Sequence, residues 1–167
     1  MNDDFMDNPW EAASLTTAAS TSTITTKTVT ATPRRLLKAT YDVKETWSRL
    51  LIDEFGPGGY LAENAQDFGR EHLLWALTLC RHVNGRTGEV FISNSKIAER
   101  LGYNGNNHPG TATVRMLTKL GLMTENGKKG RAKRLRLSAP VELLAQDKYE
   151  LLLESVVGET ITTLNIP

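Results

Sequence analysis

Cysteine is almost missing from these 167 residues: Cys80 stands alone, which excludes an intramolecular disulfide and any cysteine-rich metal site. It lies in an apolar helical run and reads as core. Long hydrophobic runs are missing too, and no basic-then-apolar leader opens the chain, so no membrane association is expected. Net charge is small, at +1, so bulk electrostatics selects no partner. Catalytic motifs are equally scarce. There is no phosphate-binding Gly-Lys loop, no nucleophile elbow, no His-Glu-x-x-His and no paired Cys or His at metal spacing. His72 and His82 lie ten residues apart on one helical stretch, too far to share a ligand, and His108 falls in a loop. The expectation is a cytoplasmic protein that is not an enzyme and uses neither cofactor nor metal.

What is present is an uneven distribution of charge. Residues 1–33 carry Asp3, Asp4, Asp7 and Glu11 against Lys27, giving −3. Residues 111–138 carry Arg115, Lys119, Lys128, Lys129, Arg131, Lys133, Arg134 and Arg136 against Glu125, giving +7. Residues 139–167 return to −4. A local excess of this size marks a surface that meets a polyanion or a well-solvated face.

Along the chain, residues 14–33 are Ser or Thr at twelve of twenty positions, too polar to offset ordering entropy, and read as a flexible linker. Alternation around Ile24 and Val29 leaves room for an added edge strand. Ahead of it, Phe5, Met6 and Trp10 sit among acids, which suits either a frayed end or a tip that docks on a protein partner. Val43, Trp47, Leu50 and Leu51 recur on one face of a helix over 40–55, stopped by Gly56-Pro57-Gly58-Gly59. Arg34, Arg35 and Lys38 form a second, smaller basic cluster ahead of it. A helix apolar on both sides follows over 67–83, then a turn at 84–88 and a short strand at 89–92. Ser93 caps a helix ending at Leu101-Gly102, and after the Asn/Gly-rich loop 103–110 Thr111 caps a helix over about 112–120. Leu122–Glu125 and Arg131–Leu137 pair as a hairpin. Pro140 opens a last helix over 141–157 with the stripe Val141, Ala145, Tyr149, Leu152 and Val156.

The order helix, strand, helix, loop, helix, hairpin is that of a winged helix. The phrases GRTGEVFISNSKIAERLGY and TATVRMLTKLGLM, with a basic hairpin ending RLRLS, resemble prokaryotic winged helix-turn-helix DNA-binding proteins. The likeness is to the group found in plasmid and phage replication proteins and related transcription regulators. It covers about half the chain and rests on Gly88, Ser93, Leu101-Gly102, Leu117 and Gly121-Leu122. The loop Tyr103–Gly110 departs from that group, whose turn is shorter, and could set Asn106, Asn107 and His108 beside a phosphate.

The expected fold class is therefore mainly α with a small β-hairpin: a winged helix-turn-helix with flanking helices and a disordered N-terminal segment. The expected organisation is a tail over 1–33, a helical extension over 34–66, a DNA-binding domain over 67–138 and a C-terminal helix and tail over 139–167. The recognition helix is placed at about 111–120 and the basic wing at about 124–137. Val114, Leu117 and Leu120 face inward, leaving Thr111, Thr113, Arg115, Thr118 and Lys119 for the major groove, with Arg115 suited to guanine. Lys128, Lys129 and Arg131 at the hairpin tip, with Arg134 and Arg136 turned outward, suit phosphates or the minor groove, as do Ser93 and Lys96. The expected partner is double-stranded DNA, with a protein bound by the Phe5/Trp10 tail as a further partner; the C-terminal helix either makes a homodimer or folds back on the helix at 40–55 to complete the monomer core. The function expected is a sequence-specific transcriptional regulator, a repressor, acting on the nucleoid or on plasmid or phage DNA. The alternatives are a plasmid or phage replication and maintenance factor, or a winged helix used only for protein contacts.

Overall fold

The computed structural model describes residues 27–90, 92–129 and 132–166. Seven α-helices and a five-stranded antiparallel sheet make up the fold among those residues. The expectation of a mainly α fold with one small hairpin is overturned by that sheet. Two segments that sequence patterning misassigns supply it.

The first is the Ser/Thr-rich stretch. Lys27–Leu37 is not linker but an eleven-residue strand, β1. The second is the C-terminal region. The expected helix over 141–157 breaks into α6 (Val141–Leu144), a 3-10 turn at Asp147–Tyr149 and α7 (Glu150–Glu154). The chain then runs out as β5 (Val156–Ile166). β1 and β5 pair antiparallel from Lys27↔Ile166 to Leu37↔Val156, with register shifts near Arg34. β1 also pairs β4 through Arg34↔Pro140 and Leu36↔Ser138, so it lies inside the sheet, not at its edge.

Between these segments, α1 (Tyr41–Phe55) starts at Thr40, whose hydroxyl accepts from Val43 N, and buries Val43, Trp47, Leu50 and Leu51. After α2 (Tyr60–Asn64) comes α3 (Arg70–Arg81), which packs on α1 and buries Trp75, Ala76, Leu79 and Cys80. The helix expected to be apolar on both sides leaves Leu74 51% exposed. β2 (Glu89–Val90), α4 (Asn94–Arg100) and α5 (Gly110–Lys119) follow. The hairpin of β3 (Met123–Lys129) and β4 (Ala132–Pro140) comes next, and β2 pairs with β4 through Glu89↔Arg136.

One hydrophobic cluster joins all of this. Leu37, Trp47, Trp75, Leu117, Leu137 and Leu152 belong to it, so the segments expected at 34–66, 67–138 and 139–167 share a core. Leu143, Leu144, Tyr149 and Leu152 are buried in the chain's own interior. The C-terminal segment thus packs back on α1 and completes the core of the chain itself. Among the described residues no helix is long and apolar enough to cross a membrane, and no group of His, Cys, Asp or Glu is placed to hold a metal ion.

Candidate nucleic-acid interface

Helix α5 begins one residue before the expected cap, at Gly110, with Pro109 in the N-cap position. The glycine is demanded by packing. A Cβ at Gly110 would lie 2.4 Å from Cζ2 of the buried Trp75. The loop before it is also packed inward: the His108 ring stacks on Trp75 at 4.9 Å, and Tyr103 meets Trp75 edge-on at 5.9 Å. His108 Nδ1 accepts from Gly110 N. His108 is thus engaged in holding the start of α5, and only Asn106 and Asn107 of the loop's expected phosphate group are exposed.

The faces of α5 separate cleanly. Gly110, Thr113, Val114, Leu117 and Thr118 are buried, whereas Thr111, Ala112, Arg115 and Lys119 are exposed. Thr111, Arg115 and Lys119 follow at steps of four residues and so form one stripe along the solvent side. Thr113 and Thr118, expected on that side, are not there. Thr113 donates its hydroxyl to Pro109 O at 2.8 Å and accepts from His72 Nδ1 at 2.8 Å. Thr118 donates to Val114 O at 2.8 Å. A threonine whose hydroxyl returns to the carbonyl four residues back is satisfied in the interior, which an inner stripe of aliphatic residues alone does not reveal.

The end of α5 is held from elsewhere in the chain. Thr32 donates to Lys119 O at 3.0 Å, Arg34 Nη1 to Thr118 O at 2.6 Å and the Tyr60 hydroxyl to Leu120 O at 3.1 Å. Ser138 adds a hydrogen bond to Gly121 O at 2.8 Å. Carbonyls that a helix leaves without intrahelical donors are thereby covered by β1, α2 and β4. Arg34 is fully buried, and burial pushes its guanidinium below the ordinary value. Its position at the negative end of the helix dipole favours the cation. These four residues were missed from sequence because their partners are 17 to 87 positions away.

In the hairpin, the strands run further than expected. β3 continues to Lys129, which pairs with Ala132, so Lys128 and Lys129 end the strand at the hairpin's outer end, as expected. Arg131 lies outside the described residues, as do Phe5 and Trp10. Leu135 and Leu137 face the core as expected from alternation. The outward arginines are not both free for DNA. Arg134 Nη2 forms an ion pair with Glu89 at 2.8 Å, and Glu89, itself 6% exposed, also accepts from Asn126. Arg136 lies over Gly88, where a Cβ would meet its Nε and Nη2 at 3.4 Å. Lys133 is paired with Glu125 across the hairpin at 2.5 Å. Glu89 is thus an unexpected anchor of the hairpin, signalled in sequence only as an acid opening a short strand. Ser93 and Lys96 are exposed at the start of α4, with Ser93 Oγ accepting from Lys96 N as the helix cap.

Exposed cations of these elements include Arg115 and Lys119 on α5 and Lys96 and Arg100 on α4, and Lys128 and Lys129 belong to β3. Comparison with protein-family models, with curated proteins and with solved structures found no match.

Proposed function

We propose that this protein binds double-stranded DNA and regulates transcription. Helix α5 enters the major groove and the β3–β4 hairpin lies along the neighbouring backbone. The observation that carries the reading is the split of α5. One side is fixed by Trp75, His72, Arg34, Tyr60 and Thr32, and the other presents Thr111, Arg115 and Lys119 in line. A helix held at both ends with polar, hydrogen-bonding side chains outward is what base readout needs. The sequence resemblance to prokaryotic DNA-binding proteins points the same way. Because Thr113 and Thr118 are buried and Arg134 is paired, base contact falls to Thr111, Arg115 and Lys119, and phosphate contact to Lys96, Lys128 and Lys129.

Selection from randomised duplexes would give the preferred site, and gel shifts of variants would then test the face. Arg115→Ala should cost about 1–3 kcal/mol on the preferred site and little on others. Lys128→Ala with Lys129→Ala should weaken all duplexes alike and flatten the log–log salt dependence by roughly 0.9 for each phosphate left unneutralised. Binding that neither change alters would refute the assignment. Recovery of the protein's own promoter region would support a regulator, and recovery of a repeated origin sequence would move the role to replication.

A further inference from the structure

The turn residues Gly85–Gly88 and the strands facing them border an open surface cleft of about 550 Å³. Its described walls carry Lys38, Arg86 and Arg136 and no carboxylate. Each cation comes from a different part of the chain: the residue after β1, the turn, and β4. None of the three forms an ion pair among the described residues. A further arginine, Arg35, donates Nη2 to Gly158 O at 2.6 Å on the cleft wall.

The arrangement is built. Asn84 Oδ1 accepts from Arg86 N at 2.8 Å and Thr87 N at 3.2 Å, which fixes the turn. Gly88 adopts φ 72°, and its missing side chain lets the Arg136 guanidinium lie against the backbone. Arg136 Nε is buried there with no hydrogen-bond partner. Grouped cations repel one another weakly at an exposed surface, and an anion among them turns that repulsion into attraction. Leu36, Ala39 and Val157 add an apolar wall beside the charges.

We infer that this cleft binds a small phosphorylated molecule, with its phosphate on Lys38, Arg86 and Arg136 and its uncharged part along Leu36, Ala39 and Val157. Arginine and lysine together suit phosphate oxygens in both geometry and charge. The site stands apart from the hairpin's outer end. Arg136 is four residues along β4 from Ala132, the last described pair with β3, or roughly 13 Å at the rise of a strand.

Titration calorimetry and thermal unfolding of the full chain with ADP, at constant ionic strength, would test this. A single site per chain and a raised Tm are expected. At least tenfold weaker binding is expected in a Lys38→Gln, Arg86→Gln double variant. Both side chains are exposed, so the variant should keep its Tm in buffer; Arg86→Gln alone, in the turn, should shift affinity in the same direction. No ADP binding at millimolar concentration would overturn the inference. So would binding that the variants leave unchanged, since the anion would then sit on another basic surface. A third adverse result is a variant that lowers the salt slope of duplex binding by about one while the wild type ignores ADP. The phosphate would then be one of the DNA backbone.

Discussion

Glu54 shows how a single carboxylate can tie three segments together. It is 4% exposed and accepts from Tyr60 N at 2.7 Å, from the Tyr149 hydroxyl at 2.7 Å and from Lys148 Nζ at 2.6 Å. Burial pushes its pKa up, but the hydrogen bonds from Lys148, Tyr60 and Tyr149 outweigh this and hold it below the ordinary value. A carboxyl with a lowered folded pKa contributes stability that is complete above its unfolded value, about 4.3, and lost as pH falls through the folded value. Urea midpoints should therefore drop as pH falls below about 4.3, and Glu54→Gln should lessen that drop. Equal acid sensitivity in the variant would acquit Glu54 of any part in acid unfolding. At Gly110 the issue is space: Gly110→Ala places a methyl 2.4 Å from Trp75 Cζ2 and should destabilise by about 1–3 kcal/mol. Trp47 and Trp75 are both fully buried, so tryptophan fluorescence in a urea titration would report the change.

At the scale of elements, the end of α5 carries the clearest energetic question. Arg34 is a buried cation with one hydrogen bond, to Thr118 O, while its Nε and Nη2 have none. Thr118 O also accepts from Gly121 N, so losing the arginine does not orphan that carbonyl. Burying a charge this way costs more than one hydrogen bond of about 1–3 kcal/mol returns. Arg34→Met should accordingly leave stability unchanged or raise it by up to about 4 kcal/mol. A large loss in chemical denaturation would show that the single hydrogen bond outweighs the desolvation.

The same elements explain what was legible in the sequence. α1 was legible because Val43, Trp47, Leu50 and Leu51 record a local period, and α4 because Ser93 is a local cap. β1 was legible only as the alternation around Val29 that left room for an edge strand, since a Thr-rich stretch is as polar as linker and its partner β5 begins more than a hundred positions later. The C-terminal stripe from Val141 to Val156 fits a helix, yet the β-branched run Val156, Val157, Thr160, Ile161, Thr162 and Thr163 favours a strand. On α5, the exposed places of Thr111, Arg115 and Lys119 follow from periodicity. The burial of Thr113 and Thr118 depends on His72 and on helix carbonyls, which periodicity does not carry.

For the whole molecule, the pairing of β1 with β5 sets the conditions for stability. Ending the chain after Ser155 would remove β5 and leave Leu37 and the flank of β1 uncovered. Such a chain should lose several kcal/mol of the about 5–15 kcal/mol typical of a domain, seen as a much lower urea midpoint. A midpoint like that of the full chain would mean the ribbon is ornamental. Cutting at Pro140 would go further, because Leu143, Leu144, Tyr149 and Leu152 would leave the core.

Arg35 and Gly158, hydrogen-bonded across that ribbon, stand 123 positions apart. A ribosome delivers β1 more than a hundred residues before its mate, so the nascent sheet waits through that interval with a bare rim. Such rims are where strangers add on. Slow elongation between the codons of the two strands, or scarcity of chaperones, should therefore shift yield toward aggregates long before it alters the finished protein.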